Sequence, residues 1–99
     1  MNLEVANTAI KVAIDQANVI GGKFCVAVMD AGVNLVAFSR MDGGRVGTID
    51  VAMKKAQTSA LFEKESGAFG PMTQPGQPVY GLEHTNGGLV TFPGGVPLK

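Results

Sequence analysis

The run Phe24-Cys25-Val26-Ala27-Val28-Met29 limits the fold more than any other stretch of this chain. Side chains alternate across a strand, so Phe24, Val26 and Val28 share one face and Cys25, Ala27 and Met29 the other. Both faces are apolar, and a strand of that kind needs cover on both sides. The turn residues Asp30-Ala31-Gly32-Val33-Asn34 follow, and then the second apolar run Leu35-Val36-Ala37-Phe38. This order predicts an antiparallel hairpin, with Asp30 closing the turn through nearby backbone. Cys25 reads as a packing residue within it, because Lys23 is the only basic residue close by in sequence.

The rest of the chain has to provide the cover. Across residues 2–18, Leu3, Ala6, Ile10, Ala13, Ala17 and Ile20 recur at three- and four-residue spacing, the signature of an amphipathic helix. Gly21 and Gly22 end it. After the polar loop Arg40-Met41-Asp42-Gly43-Gly44, in which Asp42 is expected to close a turn, Thr48 is placed to cap a second helix. Ile49, Ala52, Met53, Ala56 and Ala60 form its expected buried stripe. Lys54, Lys55, Gln57 and Thr58 lie on the opposite face, and the helix is expected to stop near Gly67. Residues 66–81 contain Pro71, Pro75 and Pro78 among glycines. That composition predicts a long loop with one short helical turn and makes it a candidate lid over a binding cleft. Residues 89–92 read as a third strand, and the corner Pro93-Gly94-Gly95 turns the chain into Val96-Pro97-Leu98-Lys99.

Ninety-nine residues suffice for one core, so a single domain over residues 1–99 is expected. Eight basic and eight acidic residues cancel, and the lysines are scattered, which argues against nucleic acid as a partner. No apolar run approaches the roughly 20 residues of a membrane span, and the N-terminus lacks a secretory pattern, so a cytoplasmic protein is expected. One Cys excludes an internal disulfide.

Chemistry-bearing patterns are sparse. A lone Cys and a lone His supply no metal-site spacing. The acidic residues show no acid/base couple, and neither glycine pair belongs to a phosphate-binding motif. His84, beside Thr85, is the one proton carrier of the usual kind. The Pro93-Gly94-Gly95 corner exposes backbone N–H groups with no side chain over them and suits either a plain turn or close approach to a ligand.

Taken in order, four blocks resemble the GlcG/HbpS family, which includes the C-terminal domains of PduO corrinoid adenosyltransferases. They are Val26-Ala27-Val28-Met29-Asp30-Ala31-Gly32, Leu35-Val36-Ala37-Phe38-Ser39-Arg40-Met41-Asp42-Gly43, Lys55-Ala56-Gln57-Thr58-Ser59-Ala60 and Pro93-Gly94-Gly95-Val96-Pro97-Leu98. The resemblance implies an α+β fold with a profilin-like antiparallel sheet flanked by helices, a homo-oligomer, and a relation to haem or corrinoids. It also implies that Arg40, Asp42, Lys55, Gly94 and Gly95 organise a cleft or oligomer contacts. Two departures stand out. Val33 occupies a turn position where the family commonly has glycine. The family also continues past the last block into another strand and a closing helix, so the chain is expected to be incomplete at its C-terminus.

The primary expectation is a small-molecule-binding accessory subunit, more a binding protein than an enzyme, with Arg40, Asp42, Lys55, His84, Gly94 and Gly95 facing the ligand and no resident metal site. Haem is one candidate ligand. His84 is its only nitrogen donor of the usual kind, with Met29, Met41, Met53, Met72 and Tyr80 as other ligand types. One alternative is a small metabolic enzyme in which Arg40 or Lys55 anchors an anion and His84 moves a proton. Another is a structural protein that assembles through its unfinished sheet edge.

Overall fold

The computed structural model describes residues 1–97, so the expectations for Leu98 and Lys99 lie outside it. Helix α1 spans Leu3–Ile20. It starts where the Asn2 side-chain oxygen accepts the Val5 N–H at 2.8 Å. It ends in a left-handed cap at Gly21, φ 76°, with the Gly22 N–H returning to Ala17 O at 2.8 Å. Ala6, Ile10 and Ala17 are buried, whereas Leu3 and Ile20 are exposed.

Strands β1 (Cys25–Met29) and β2 (Leu35–Arg40) pair antiparallel. Cys25 lies opposite Arg40 and Val28 opposite Ala37, and a register slip then brings Met29 opposite Leu35. Val26 and Val28 pack on Ala6, Ile10, Ala9 and Ile14 of α1. On the reverse face Cys25 Sγ lies 3.3 Å from Thr48 Oγ1 of α2, which spans Thr48–Phe62. The fold is α+β, with the hairpin between the two helices. Both apolar faces of β1 thereby receive their cover. Among the described residues no helix is long and apolar enough to cross a membrane.

Several boundaries and partners differ from the sequence reading. Gly47 holds the N-cap position, without a side-chain cap bond, and Thr48 is the first helical residue. The Thr48 hydroxyl instead donates to Arg45 O at 2.6 Å, which leaves its lone pairs for Cys25. Helix α2 stops at Phe62, four residues before Ser66 begins a 3-10 turn, because Glu63 turns left-handed with φ 56°. The loop after β2 closes through Gly44 N–H to Met41 O at 2.9 Å, and no Asp42 side-chain bond occurs there among the described residues. Two 3-10 turns, Ser66–Phe69 and Pro71–Thr73, replace the single turn expected within residues 66–81, and a third, Leu82–His84, follows them. Pro71 opens the second of these, a position where its missing N–H has no cost.

The expected third strand at residues 89–92 is absent, and the sheet has two strands among the described residues. Its backbone is bonded elsewhere: the Leu89 N–H donates to Glu83 O at 2.8 Å, and two further groups meet side chains. Thr58 Oγ1 accepts the Val90 N–H at 3.1 Å, and Ser66 Oγ donates to Phe92 O at 2.7 Å. The face of α2 expected to meet solvent is therefore covered by this returning segment. Thr58 and Ser59 are the helix's two fully buried residues, while Ile49, Ala52, Met53, Ala56 and Ala60 are half-buried.

The hairpin turn generates two predictions. Val33 holds φ 65°, a conformation that crowds a β-branched residue. Val33→Gly should raise stability in urea unfolding by about 0.5–1 kcal/mol, the relief of strain exceeding the added freedom of the unfolded chain. Asp30 accepts the Asn34 backbone N–H at 2.9 Å, and that bond, aided by the Asn34 side chain and the Gly32 N–H, holds its carboxyl below the usual carboxylate value. A lowered folded value confers stability above the unfolded one and loses it as pH falls through the folded one. The stability gap between wild type and Asp30→Asn should thus be present near neutrality and close below about pH 4 in pH-dependent urea titrations.

Candidate functional site

Lys55, Gly94 and Gly95 are brought together where the last segment crosses α2. The Lys55 ammonium stands 4.8 Å from the centre of the Phe92 ring. A Cβ on Gly94 would lie 2.7 Å from Lys55 Nζ, and one on Gly95 would collide with the Lys55 carbonyl and lie 2.8 Å from Ser59 Oγ. Gly95 is therefore required by close approach to backbone, whereas at Gly94 the neighbour is the flexible end of Lys55 and the φ of 133° is what favours glycine. Gly95 is fastened by Ser66: its N–H donates to Ser66 Oγ at 2.8 Å and its carbonyl accepts the Ser66 N–H at 2.9 Å. Lys55 has no ion-pair partner, since the salt bridge among the described residues joins Lys11 to Asp15.

Further along α2, Lys54 Nζ donates to Gly87 O at 3.1 Å and Gln57 Nε2 to Asn86 O at 2.7 Å. These bonds hold the stretch that follows the Leu82–His84 turn. His84 projects from that turn and is exposed, with no side-chain hydrogen bond among the described residues. Next to it, Glu83 has a buried Oε1 without a partner. Arg40 and Asp42 sit at the exit of β2, where Gly43 packs on Lys23 and Gly44 on Arg40. Among the described residues no hydrogen bond or salt bridge joins Arg40, Asp42 or His84 to the Lys55–Gly94–Gly95 corner.

A cleft of about 520 Å³ opens beside β1. Val5 of α1, Ala27 to Ala31 of the hairpin, Ala56, Ser59 and Ala60 of α2, and Val96 with Pro97 form its walls, and Asp30 and Glu63 put two carboxylates on it. Ser59 is 2% exposed, and its hydroxyl has no hydrogen-bond partner among the described residues. A second concavity is a shallow groove along the outer face of α1, between Leu3 and Lys11, where no groups converge from other elements. Among the described residues no three His, Cys, Asp or Glu side chains cluster as a metal site would need.

Sequence reasoning missed Ser66, Ser59 and Phe92 and placed Thr58 on the solvent side. The available signal was Gln57-Thr58-Ser59, three polar residues inside a helix with modest helical preference, which a buried covering segment explains.

A two-helix, hairpin-centred α+β domain with a cleft at the strand edge and a glycine corner on α2 defines the class of this protein. The model of the family described as "Haem degrading protein HbpS-like" matches residues 1–99, and the chain belongs to that family. The chain is similar to an uncharacterized 15.0 kDa protein of the dhaT-dhaS intergenic region of Citrobacter freundii. Identity there is 34% over 73 residues, 73% of this chain and 51% of that protein. It is also similar to the corrinoid adenosyltransferase PduO of Salmonella typhimurium, 30% identical over 89 residues, 89% of this chain and 26% of that protein. The chain thus spans about half the length of the first relative and a quarter of the second. The crystal structure of Klebsiella pneumoniae protein ORFY, of the DUF336 family, superposes with a TM-score of 0.94 and 29% identity, over 100% of this chain and 69% of that one. A PduOC:heme complex superposes with a TM-score of 0.89 and 26% identity, over 95% and 69% of the two chains.

Thr58 tests the seam that supports the glycine corner. Thr58→Val keeps the shape but leaves the Val90 N–H without its acceptor, so chemical denaturation should show a loss of about 1–3 kcal/mol. Thr58→Ser, which retains the hydroxyl, should recover part of it.

Proposed function

We propose that this chain is a binding or accessory subunit for a tetrapyrrole, with haem as the first candidate and a corrinoid as the related one. The observation that carries this reading is the likeness to the PduOC:heme complex over 95% of the chain. Membership of a haem-degrading family and similarity to a corrinoid adenosyltransferase point the same way.

The side chains present are compatible with haem. His84 is exposed and free of internal hydrogen bonds among the described residues, so a ring nitrogen is available to an iron. Met72, Val79 and Tyr80 of the preceding segment are also exposed, which supplies apolar surface and two further ligand types. When bound, haem would bring an iron centre, and His84 would be the residue that holds it. Lys55, without an ion-pair partner, is proposed to meet a ligand carboxylate, with Gly94 and Gly95 allowing close approach. Arg40 and Asp42, at the exit of β2, are proposed for ligand or oligomer contacts in a cytoplasmic homo-oligomer.

Titration of the purified chain with haemin, followed in the Soret region, tests the reading. Saturable binding with a shifted Soret band, weakened about tenfold or more by His84→Ala, is the expected result. No Soret shift, together with no difference between wild type and His84→Ala, would remove the haem assignment.

A further inference from the structure

Of the five asparagines in the chain, four precede the bulky or β-branched residues Leu3, Thr8, Val19 and Leu35, and Asn86 alone precedes a glycine. A side chain on the following residue shields its backbone nitrogen, and Gly87 has none. Thr85 O accepts the Gly88 N–H at 2.9 Å, and between them Asn86 and Gly87 hold φ 52° and 75°. This is the pattern of a type I′ turn. Asn86 and Gly87 are exposed, a Cβ on Gly87 would meet nothing within 4 Å, and among the described residues the Gly87 N–H has no acceptor. An asparagine amide and an unshielded backbone nitrogen thus adjoin in water. Two side chains of α2 hold the turn: Gln57 Nε2 donates to Asn86 O at 2.7 Å, and Lys54 Nζ to Gly87 O at 3.1 Å. Both leave α2 on the side opposite Ser59 and Glu63, which line the cleft with Val96 and Pro97.

We propose that Asn86–Gly87 is a spontaneous deamidation site, with water as the co-reactant, and that Gln57 sets its rate by locking the peptide between them in an unreactive geometry. A base in solution takes the Gly87 N–H proton, the nitrogen attacks Asn86 Cγ, and the Cγ–Nδ2 bond breaks as ammonia leaves. The five-membered imide then adds water. Opening at the Asn86 main-chain carbonyl gives an isoaspartyl link, and opening at Cγ gives aspartate. Closing the ring requires an Asn86 ψ of ~−120°, the value at the first central position of a type II′ turn, whereas type I′ holds ~+30°. The two turns share the φ of that residue and the bond between their ends, so the reactive form is reached by a flip of the Asn86–Gly87 peptide. That flip carries the Asn86 carbonyl off Gln57 Nε2. Loss of ammonia makes the product permanent. Its isoaspartyl form has one more backbone carbon and a carboxylate beside the Gly87 carbonyl that Lys54 holds, so the turn that follows His84 cannot close as before. The site is independent of the tetrapyrrole reading, which uses His84 and Lys55.

The full chain and the peptide acetyl-HTNGGLV-amide, which has the same local sequence without α2, are incubated side by side in mildly alkaline buffer. Mass spectrometry of digests follows the gain of about 1 Da at residue 86, and electron-transfer fragmentation separates isoaspartyl from aspartyl product. Residue 86 should convert in the chain about fivefold or more slowly than in the peptide, and mainly to isoaspartate. Gln57→Ala and Gln57→Glu both remove the donor, and each should raise the chain's rate about threefold or more with the melting temperature close to wild type. Lys54→Met, which releases only the next carbonyl, should raise it less. Asn86→Gly, which suits the positive φ, should remove the early gain in intact mass. A chain that converts as fast as the peptide would overturn the proposal. So would a rate left unchanged by both Gln57 variants, an equal acceleration by Lys54→Met, an early mass gain that survives Asn86→Gly, or no conversion of wild type and Gln57→Ala in the time the peptide reacts to completion.

Discussion

Thr58 sits in the middle of α2 with its hydroxyl donating to Lys54 O at 2.8 Å and accepting the Val90 N–H at 3.1 Å. That two-sided bond, repeated in kind by Lys54, Gln57 and Ser66, holds the last third of the chain in place. Residues 66–97 contain too many prolines and glycines to form a ladder, yet Leu89, Thr91 and Gly95 are buried. Buried backbone without a partner is costly, so polar side chains of a helix provide what a neighbouring strand would otherwise provide. Ser66, 0% exposed, bonds both Phe92 O and the Gly95 N–H and fixes the corner against α2.

The same constraint explains why the side chains at the seam are small. Gly67 lies under Pro93, where a Cβ would come within 2.9 Å of the ring, and Gly95 lies directly on the Lys55 carbonyl. Backbone meets backbone there, and the polar groups of both partners come within hydrogen-bonding range. The hairpin needs less assistance. Its two apolar faces are covered by α1 and α2, and residues of modest size, Ala6, Ile10 and Val28, make the buried cluster between α1 and the sheet.

How much of this could be read from the residues depended on how local the determining interactions are. Helix α1 and the hairpin are governed by periods of 3.6 and 2 and by turn chemistry within five residues, and both appear as expected. Even the unusual Val33 was visible as a residue where glycine fits better, and its φ of 65° bears that out. The segment 89–92 has strand-like composition, but its bonds go to Thr58 and Ser66, 32 and 26 residues away in sequence, and pattern alone does not reveal partners at that distance. The buried polar face of α2 was misread for the same reason, since a helix with lysines and threonine on one side looks solvated until its cover is known. The meeting of Lys55 with Gly94 and Gly95 follows no spacing rule. Family resemblance brought those residues forward, and only the fold shows that they touch.

Helix α2 contributes to two separate surfaces. Lys55 offers a cation with no salt-bridge partner among the described residues under the glycine corner, whereas Asp30 and Glu63 line the cleft together with the amino-terminal Met1. Gly95 connects them physically: it rests against the Lys55 carbonyl and the Ser59 hydroxyl, and the chain leaving it becomes the Val96–Pro97 wall of the cleft. Occupying one surface without moving this corner leaves the other as it is. Any ligand that displaces Gly94 and Gly95 must also shift a wall of the cleft, and by reciprocity an occupant that presses on that wall must act on the Lys55 side with the same coupling free energy.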